Sequence, residues 1–227
     1  TLIHVLGVRP ERIQVIYNGI VPGKAESSRA AWRKQLGIND NCFLAVMVAN
    51  LSGWKDHATL LKAWRIVVNH LQAADSYAVL LLAGGFVNTH HQLKALACDL
   101  ELGNSVRFLG YVEDIPGLLE AVDIGVLSSR SEGCPNGVLE CMATGLAVAG
   151  TDIPGIREAV GQDGYPFLAP AENAESLADR ILKLAANHKL RMKIGEANRS
   201  RIEEKFGLQR MCEETVKLIA EKLEIGI

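Results

Sequence analysis

Two glutamates, Glu132 and Glu140, stand with seven residues between them in the stretch SEGCPNGVLECMATGLAV, residues 131–148. Pro135 lies between them and Gly145 follows. Proline fits the first turn of a helix, where its missing N–H costs nothing, and glycine accepts the left-handed conformation that ends one. The spacing predicts a helix over 135–144 that starts directly after a loop. Its first turn would present unpaired amides from Asn136, Gly137, Val138 and Leu139 at the positive end of the helix dipole, a receptor for phosphate or another anion. Glu132 falls in the preceding loop. Glu140 lies one to two turns along, among Cys141, Met142 and Ala143, and so faces a half-buried crevice. A carboxylate there accepts two hydrogen bonds at once, which suits the vicinal diol of a ribose. Two glutamates alone are no more than a cap and a solvated charge, so their surroundings decide.

Lys55 is the second candidate. It is expected at the start of a helix over 55–73, where a cation opposes the dipole unless an anion sits beside it. Gly84 and Gly85 follow an apolar run and are a weak signal, since such a pair is a turn more often than a phosphate cradle. The chain has no dinucleotide fingerprint, no Walker loop and no Asp-x-Asp pair to hold a metal on a diphosphate. A phosphate would have to be met by protein charge and helix dipoles, without a metal or cofactor. The six histidines are scattered, and the adjacent pair His90 and His91 cannot face one way on a helix. Ser128, Ser129 and Ser131 lack the glycine-serine-glycine elbow of a hydrolase.

The elements that must position these residues follow an alternating pattern. A helix over 28–36 precedes the apolar run CFLAVMVAN, and then come the helix 55–73, strand 78–83, helix 90–100, strand 106–109, helix 115–121 and strand 124–127. The glutamate helix follows, then strand 147–150, a turn at Pro154 and Gly155, a short helix and a strand over 166–168. Helices are expected over 173–186, 190–206 and 208–223, each with a buried stripe. At the other end, residues 1–20 read as the tail of a helix, a turn over 7–10 and an extended piece over 12–17 that closes in the Asn18-Gly19 turn. Short apolar strands between amphipathic helices require a parallel sheet covered on both faces. The class is a doubly wound, Rossmann-like α/β domain over 27–206, with 1–26 as a linker region and 207–227 as a C-terminal helix. In such a sheet ligands bind beyond the carboxyl ends of the strands. The loops 50–55, 84–85, 110–111, 128–136 and 151–157 all fall on that edge.

Composition narrows the partners. The chain has 227 residues, enough to bury roughly 70% of its unfolded surface. With 24 basic and 26 acidic residues the net charge is -2, which offers no footprint for nucleic acid or an anionic membrane. Five cysteines, Cys42, Cys98, Cys134, Cys141 and Cys212, form neither a metal-ligand spacing nor an even disulfide set, which points to a reducing cytoplasm. The apolar runs are too short to span a bilayer. The chain opens at Thr1 rather than methionine, as a segment of a longer protein would.

Taken together, VIYNGI, ANLSGWKDHATLLKAW, LLLAGG, VRFLGYVEDI, SSRSEGCPNGVLECMATGLAV and PGIREAV resemble the C-terminal donor-binding domain of the retaining, nucleotide-sugar-dependent glycosyltransferases of GT-B fold, family 4, the glycosyl transferases group 1. The resemblance covers most of the chain, and its SEGxPNxxLExMAxG pattern is specific. It implies that Glu140 binds the ribose and Glu132 the donor sugar, and that Lys55 neutralises the leaving diphosphate. It also implies that backbone amides of Cys134, Asn136 and Gly137 hold sugar hydroxyls, that those of Val138 and Leu139 meet the diphosphate, and that the loop 111–115, with Tyr111 and Val112, flanks the base. Gly84 and Asn50 would lie at the same donor site. The family usually carries an arginine five residues before the lysine, where this chain has Asn50, so one cationic clamp is missing or supplied elsewhere. The expected partners are a nucleotide-sugar donor and an N-terminal acceptor-binding domain, which would carry any contact with the inner membrane. Two other readings stay open: a non-catalytic nucleotide-sugar-binding module, and a GT-B nucleotide-sugar epimerase.

Overall fold

The computed structural model describes residues 7–223; the expected helix tail at the start of the chain lies outside the described residues. Six strands, β1 (Phe43–Val48), β2 (Ala78–Ala83), β3 (Val106–Gly110), β4 (Ile124–Leu127), β5 (Ala147–Thr151) and β6 (Leu168–Ala169), form one sheet in the order β3-β2-β1-β4-β5-β6. Every pairing is parallel. The strands are near-continuous apolar runs because both faces are covered, and Leu44, Ala45, Val46, Met47, Leu80, Leu81 and Leu82 are fully buried.

The helices are α1 (Arg29–Gln35), α2 (His57–Gln72), α3 (His90–Asp99), α4 (Ile115–Ala121), α5 (Asn136–Ala143), α6 (Pro154–Gly164), α7 (Ala174–Ala185), α8 (His188–Lys205) and α9 (Leu208–Leu223). Helix α2 packs against α3 and α7, while α5 packs against α6 and α8. Right-handed crossovers run one way from β1 and the other way from β4, and this opposed winding puts the two groups on opposite faces. The chain therefore reverses direction between β1 and β4. In a doubly wound sheet that is where a crevice opens beyond the strand ends.

The end of the sheet away from the crevice is locked by a buried arginine. The Arg33 guanidinium donates to the carbonyls of Ala121, Asn39, Asp40 and Cys42 and to Asp123. Asp123 in turn accepts from the Leu44 amide. A charge this deep is tolerated because each guanidinium nitrogen finds an oxygen and one of those oxygens is a carboxylate's, and the network ties the starts of β1 and β4 together.

The piece over 12–17 is extended at Ile13 and lies outside the sheet; Tyr17 is held by its ring against Phe206 and by a hydrogen bond to Glu158. Two sequence expectations need correction. The last strand begins at Leu168, because Pro166 cannot donate to a ladder and the chain makes a 3-10 turn at Tyr165–Phe167. Helix α6 is longer than a short turn of helix, with a break at Gly161, whose φ is +67°. The segment before α1 is held to the domain at two points. The Ile20 amide donates to the Phe206 carbonyl. The Asp114 carboxylate accepts from the Trp32 indole and from the amides of Glu26, Ser27 and Gly117. Burial alone would raise the pKa of Asp114, but these four donors outweigh it and hold the carboxyl below its ordinary value.

Candidate functional site

The loop after β1 carries Lys55 and the loop after β4 carries Glu132, and the pairing of β1 with β4 brings the two ends side by side. Lys55 Nζ lies 2.5 Å from Glu132 Oε1, and the same oxygen accepts from Ser129 Oγ at 2.6 Å. Both charged side chains are mostly shielded from solvent, with 27% and 11% of their surfaces exposed. Lys55 does not start the long helix, as the spacing had suggested. It ends a 3-10 turn, Gly53–Lys55, and Asp56 then takes a left-handed conformation and caps α2. The lysine is thus outside the helix and turned toward the crevice.

Helix α5 begins one residue later than expected. Pro135 is its cap rather than its first helical residue. The Pro135 carbonyl accepts from both Val138 and Leu139 amides. Those two amides, expected to be free, are used by the helix itself. The amides of Asn136 and Gly137 have no acceptor among the described residues and stay open at the helix N-terminus. Gly137 must be glycine: a Cβ there would stand 2.2 Å from the Val48 carbonyl oxygen. The close approach seats the start of α5 on the end of β1. Gly155 is constrained in the same way against the Glu132 carbonyl, at 2.3 Å.

Glu140 lies apart from this cluster. It lines a crevice of about 150 Å3 with residues 20–23, Ile115 and Leu119. Its carboxylate has neither a hydrogen-bond nor an ion-pair partner among the described residues, and burial raises its pKa. A half-buried acceptor left unpaired is an open binding capacity.

The other expected residues divide. Asn50 Oδ1 accepts from the Gly85 amide at 2.8 Å, and Gly84 packs where a Cβ would be 2.1 Å from the Ala49 carbonyl oxygen. Asn50 therefore shapes the glycine loop of the rim. The Cys134 thiol is half-buried, and burial raises its pKa. The side-chain oxygen of Asn136 accepts from Asn18. Tyr111 is 81% exposed beyond β3, with Val112 partly buried beside the core; the structure does not bring Tyr111 into contact with Glu140.

Three residues of the rim loops had been given no part in the site from the sequence. Ser128 Oγ lies 3.0 Å from the carbonyl oxygens of both Lys55 and Asp56, Thr151 donates to the Ser129 carbonyl, and Ser129 holds Glu132. Their one signal was polarity directly after apolar strands. Among the described residues no three His, Cys, Asp or Glu side chains gather as a metal site, and no helix is long and apolar enough to cross a membrane.

The rim thus holds a lysine, a carboxylate and two free amides, with a second carboxylate in a crevice of its own. The profile of the glycosyl transferases group 1 matches residues 28–201, which includes all of these. The chain belongs to that family. It is 30% identical over 183 residues to a UDP-Gal:alpha-D-GlcNAc-diphosphoundecaprenol alpha-1,3-galactosyltransferase of Escherichia coli, covering 79% of this chain and 46% of the relative. It superposes on Anabaena HepE, solved in complex with UDP-glucose, with a TM-score of 0.84 at 24% identity, over 95% of this chain and 59% of that one. It also superposes on the C-terminal domain of a glycosyl transferase group 1 protein, LpcC, of Francisella tularensis, with a TM-score of 0.68 at 21% identity. That match covers 86% of this chain and 97% of the other. The fold is that of a GT-B C-terminal domain. The group 1 domain spans about half the length of the curated relatives it matches.

Proposed function

We propose that this group 1 domain binds the donor of a glycosyltransferase, a nucleoside diphosphate sugar, and presents it for transfer to an acceptor with retention of anomeric configuration. The Lys55–Glu132 pair beside the free amides of Asn136 and Gly137 carries this reading. The ribose diol fits Glu140, the unpaired acceptor in its crevice. The diphosphate fits the start of α5, where two amides and the helix dipole meet Lys55. Glu132 then takes hydroxyls of the sugar. Departure of the nucleoside diphosphate builds charge on its terminal phosphate, and the groups that stabilise it are the lysine and the oriented amides, which need no reorganisation. No metal is required in this scheme. Two of the three proteins named above support it: one carries a UDP-sugar in its name and the other was solved with UDP-glucose. An acceptor-binding domain, facing this rim across a cleft, is the proposed partner, and the complete enzyme is placed in the cytoplasm.

One observation favours a second reading, a nucleotide-sugar-binding module without turnover. Asn50 occupies the position of the second cation and is committed to Gly85. Calorimetry with UDP, GDP, ADP and their sugars tests the donor site itself, with binding expected for one base series. No heat from any of them at millimolar concentration would refute it. Sugar transfer by the full-length protein, against none, separates enzyme from module.

A further inference from the structure

The lysine loop and the glutamate loop are fastened to each other by Arg130. Its amide donates to the Trp54 carbonyl at 2.9 Å, and its Nε lies 3.5 Å from Asp56 Oδ2. Its other arm reaches Glu172 Oε1 at 3.1 Å, in the loop after β6. One side chain of the β4 loop thus grips the β1 loop on one side and the β6 loop on the other.

Asp56 is the unusual partner. It is only 4% exposed and has a φ of +47°, a left-handed conformation that few residues other than glycine, asparagine and aspartate take. Its carboxylate accepts from the Thr59 hydroxyl and amide, and Ser128 Oγ meets the carbonyls on either side of the Lys55–Asp56 peptide. The backbone reversal at Asp56 is what turns Lys55 out of the helix and toward Glu132. A buried carboxylate in a strained conformation persists only where its surroundings hold it. Arg130 is the one cation that pairs with it among the described residues.

We propose that Arg130 and Asp56 are positioning residues of the donor site, fixing Lys55 for the diphosphate without touching the donor. This rests on the donor-site reading above. It also suits a chain whose second cationic position is Asn50: with one lysine for the phosphates, the placement of that lysine matters more.

The test is UDP and uridine binding, by calorimetry, to the wild-type chain and to Arg130→Gln, Arg130→Lys and Asp56→Asn. Asparagine keeps the cap and tolerates the left-handed conformation, so Asp56→Asn removes only the charge. Both Arg130→Gln and Asp56→Asn should weaken UDP about 2- to 30-fold, the range for residues that act through another. Arg130→Lys should recover part of the loss, and uridine, which lacks phosphate, should bind all four proteins alike. In a Lys55→Gln background, Arg130→Gln should cause no further loss. Wild-type affinity in both charge-removing variants, or an Arg130 effect that persists without Lys55, overturns the proposal. If the wild-type chain prefers GDP or ADP, that nucleotide and its nucleoside replace UDP and uridine; failure to bind any of the three would instead remove the donor site, and this role with it.

Discussion

Replacing Glu140 by glutamine should make the protein more stable and its nucleotide binding weaker. The carboxylate is half-buried with no partner among the described residues, and burial raises its pKa. A raised folded value means that the group favours folding below its unfolded pKa and opposes it once the pH rises through the folded value. At pH 7 the ionised carboxylate therefore costs stability, and Glu140→Gln should melt higher than wild type. The gap should close as the pH falls below the unfolded value of about 4.3, where both states of the wild type carry the proton. Binding should move the other way. A carboxylate can accept from both hydroxyls of a ribose, glutamine from one, alanine from neither. Hydrogen bonds to charged groups contribute about 1.5–3 kcal/mol each, and part of that is offset when water or the remaining oxygen substitutes. The expected losses are about 1 kcal/mol for glutamine and about 1–3 kcal/mol for alanine, roughly 5-fold and 5- to 150-fold in Kd. Calorimetry with UDP and with 2′-deoxy-UDP reads this directly: wild type should discriminate between them and Glu140→Ala should not. If wild type binds the deoxy ligand equally well, or if Glu140→Gln binds UDP unchanged, the diol assignment is wrong.

Two further outcomes follow from the same geometry. Gly137→Ala places a methyl group 2.2 Å from the Val48 carbonyl oxygen, backbone against backbone, so α5 must shift. Stability should fall by about 1–3 kcal/mol and UDP binding should weaken with it; an unchanged melting temperature would contradict the contact. His57 is buried beside Lys55, and burial first, then the lysine charge, lowers its pKa to about 4. The unfolded chain takes up this proton near pH 6.5, so the contribution is fully present above that value and is lost as the pH falls toward 4. Between pH 7.5 and 5 wild type should lose about 2 kcal/mol more than His57→Gln in urea denaturation, and parallel pH profiles would show that His57 does not titrate this way.

Much of the fold was legible because its signals are local. The helix Ile115–Ala121 was placed to the residue by the alternation of helical and apolar periods, and the strands Ala78–Ala83 and Ile124–Leu127 by apolar runs of strand length. The start of α2 was misplaced because nothing in WKDHATLL marks Asp56 as left-handed; its contacts with Ser128 and Arg130 come from more than 70 residues away. The candidate site divides in the same manner. Its residue types were visible, as was the helix between the glutamates. The contact of Lys55 with Glu132 was not, since it depends on β1 lying beside β4 across 77 residues. Nor was the loss of two amides to the Pro135 carbonyl, which turns on a shift of one residue in where the helix begins.

That contact changes how the site handles charge. Lys55 is already neutralised by Glu132, and Asn50 adds no second cation. Two unit charges about 4 Å apart attract by about 4 kcal/mol at an effective dielectric of 20, so a phosphate oxygen and a glutamate oxygen compete for the lysine on nearly equal terms. A bare diphosphate that takes the lysine leaves Glu132 without its cation. A donor carrying its sugar differs, because the sugar hydroxyls give Glu132 new donors as the phosphate takes its place at Lys55, while Ser129 continues to hold the carboxylate. The exchange then leaves no charged group unpaired. In the proposed donor site the ion pair of the unliganded chain would therefore favour the complete nucleotide sugar over its fragments, and would couple recognition of the sugar to neutralisation of the group that must leave.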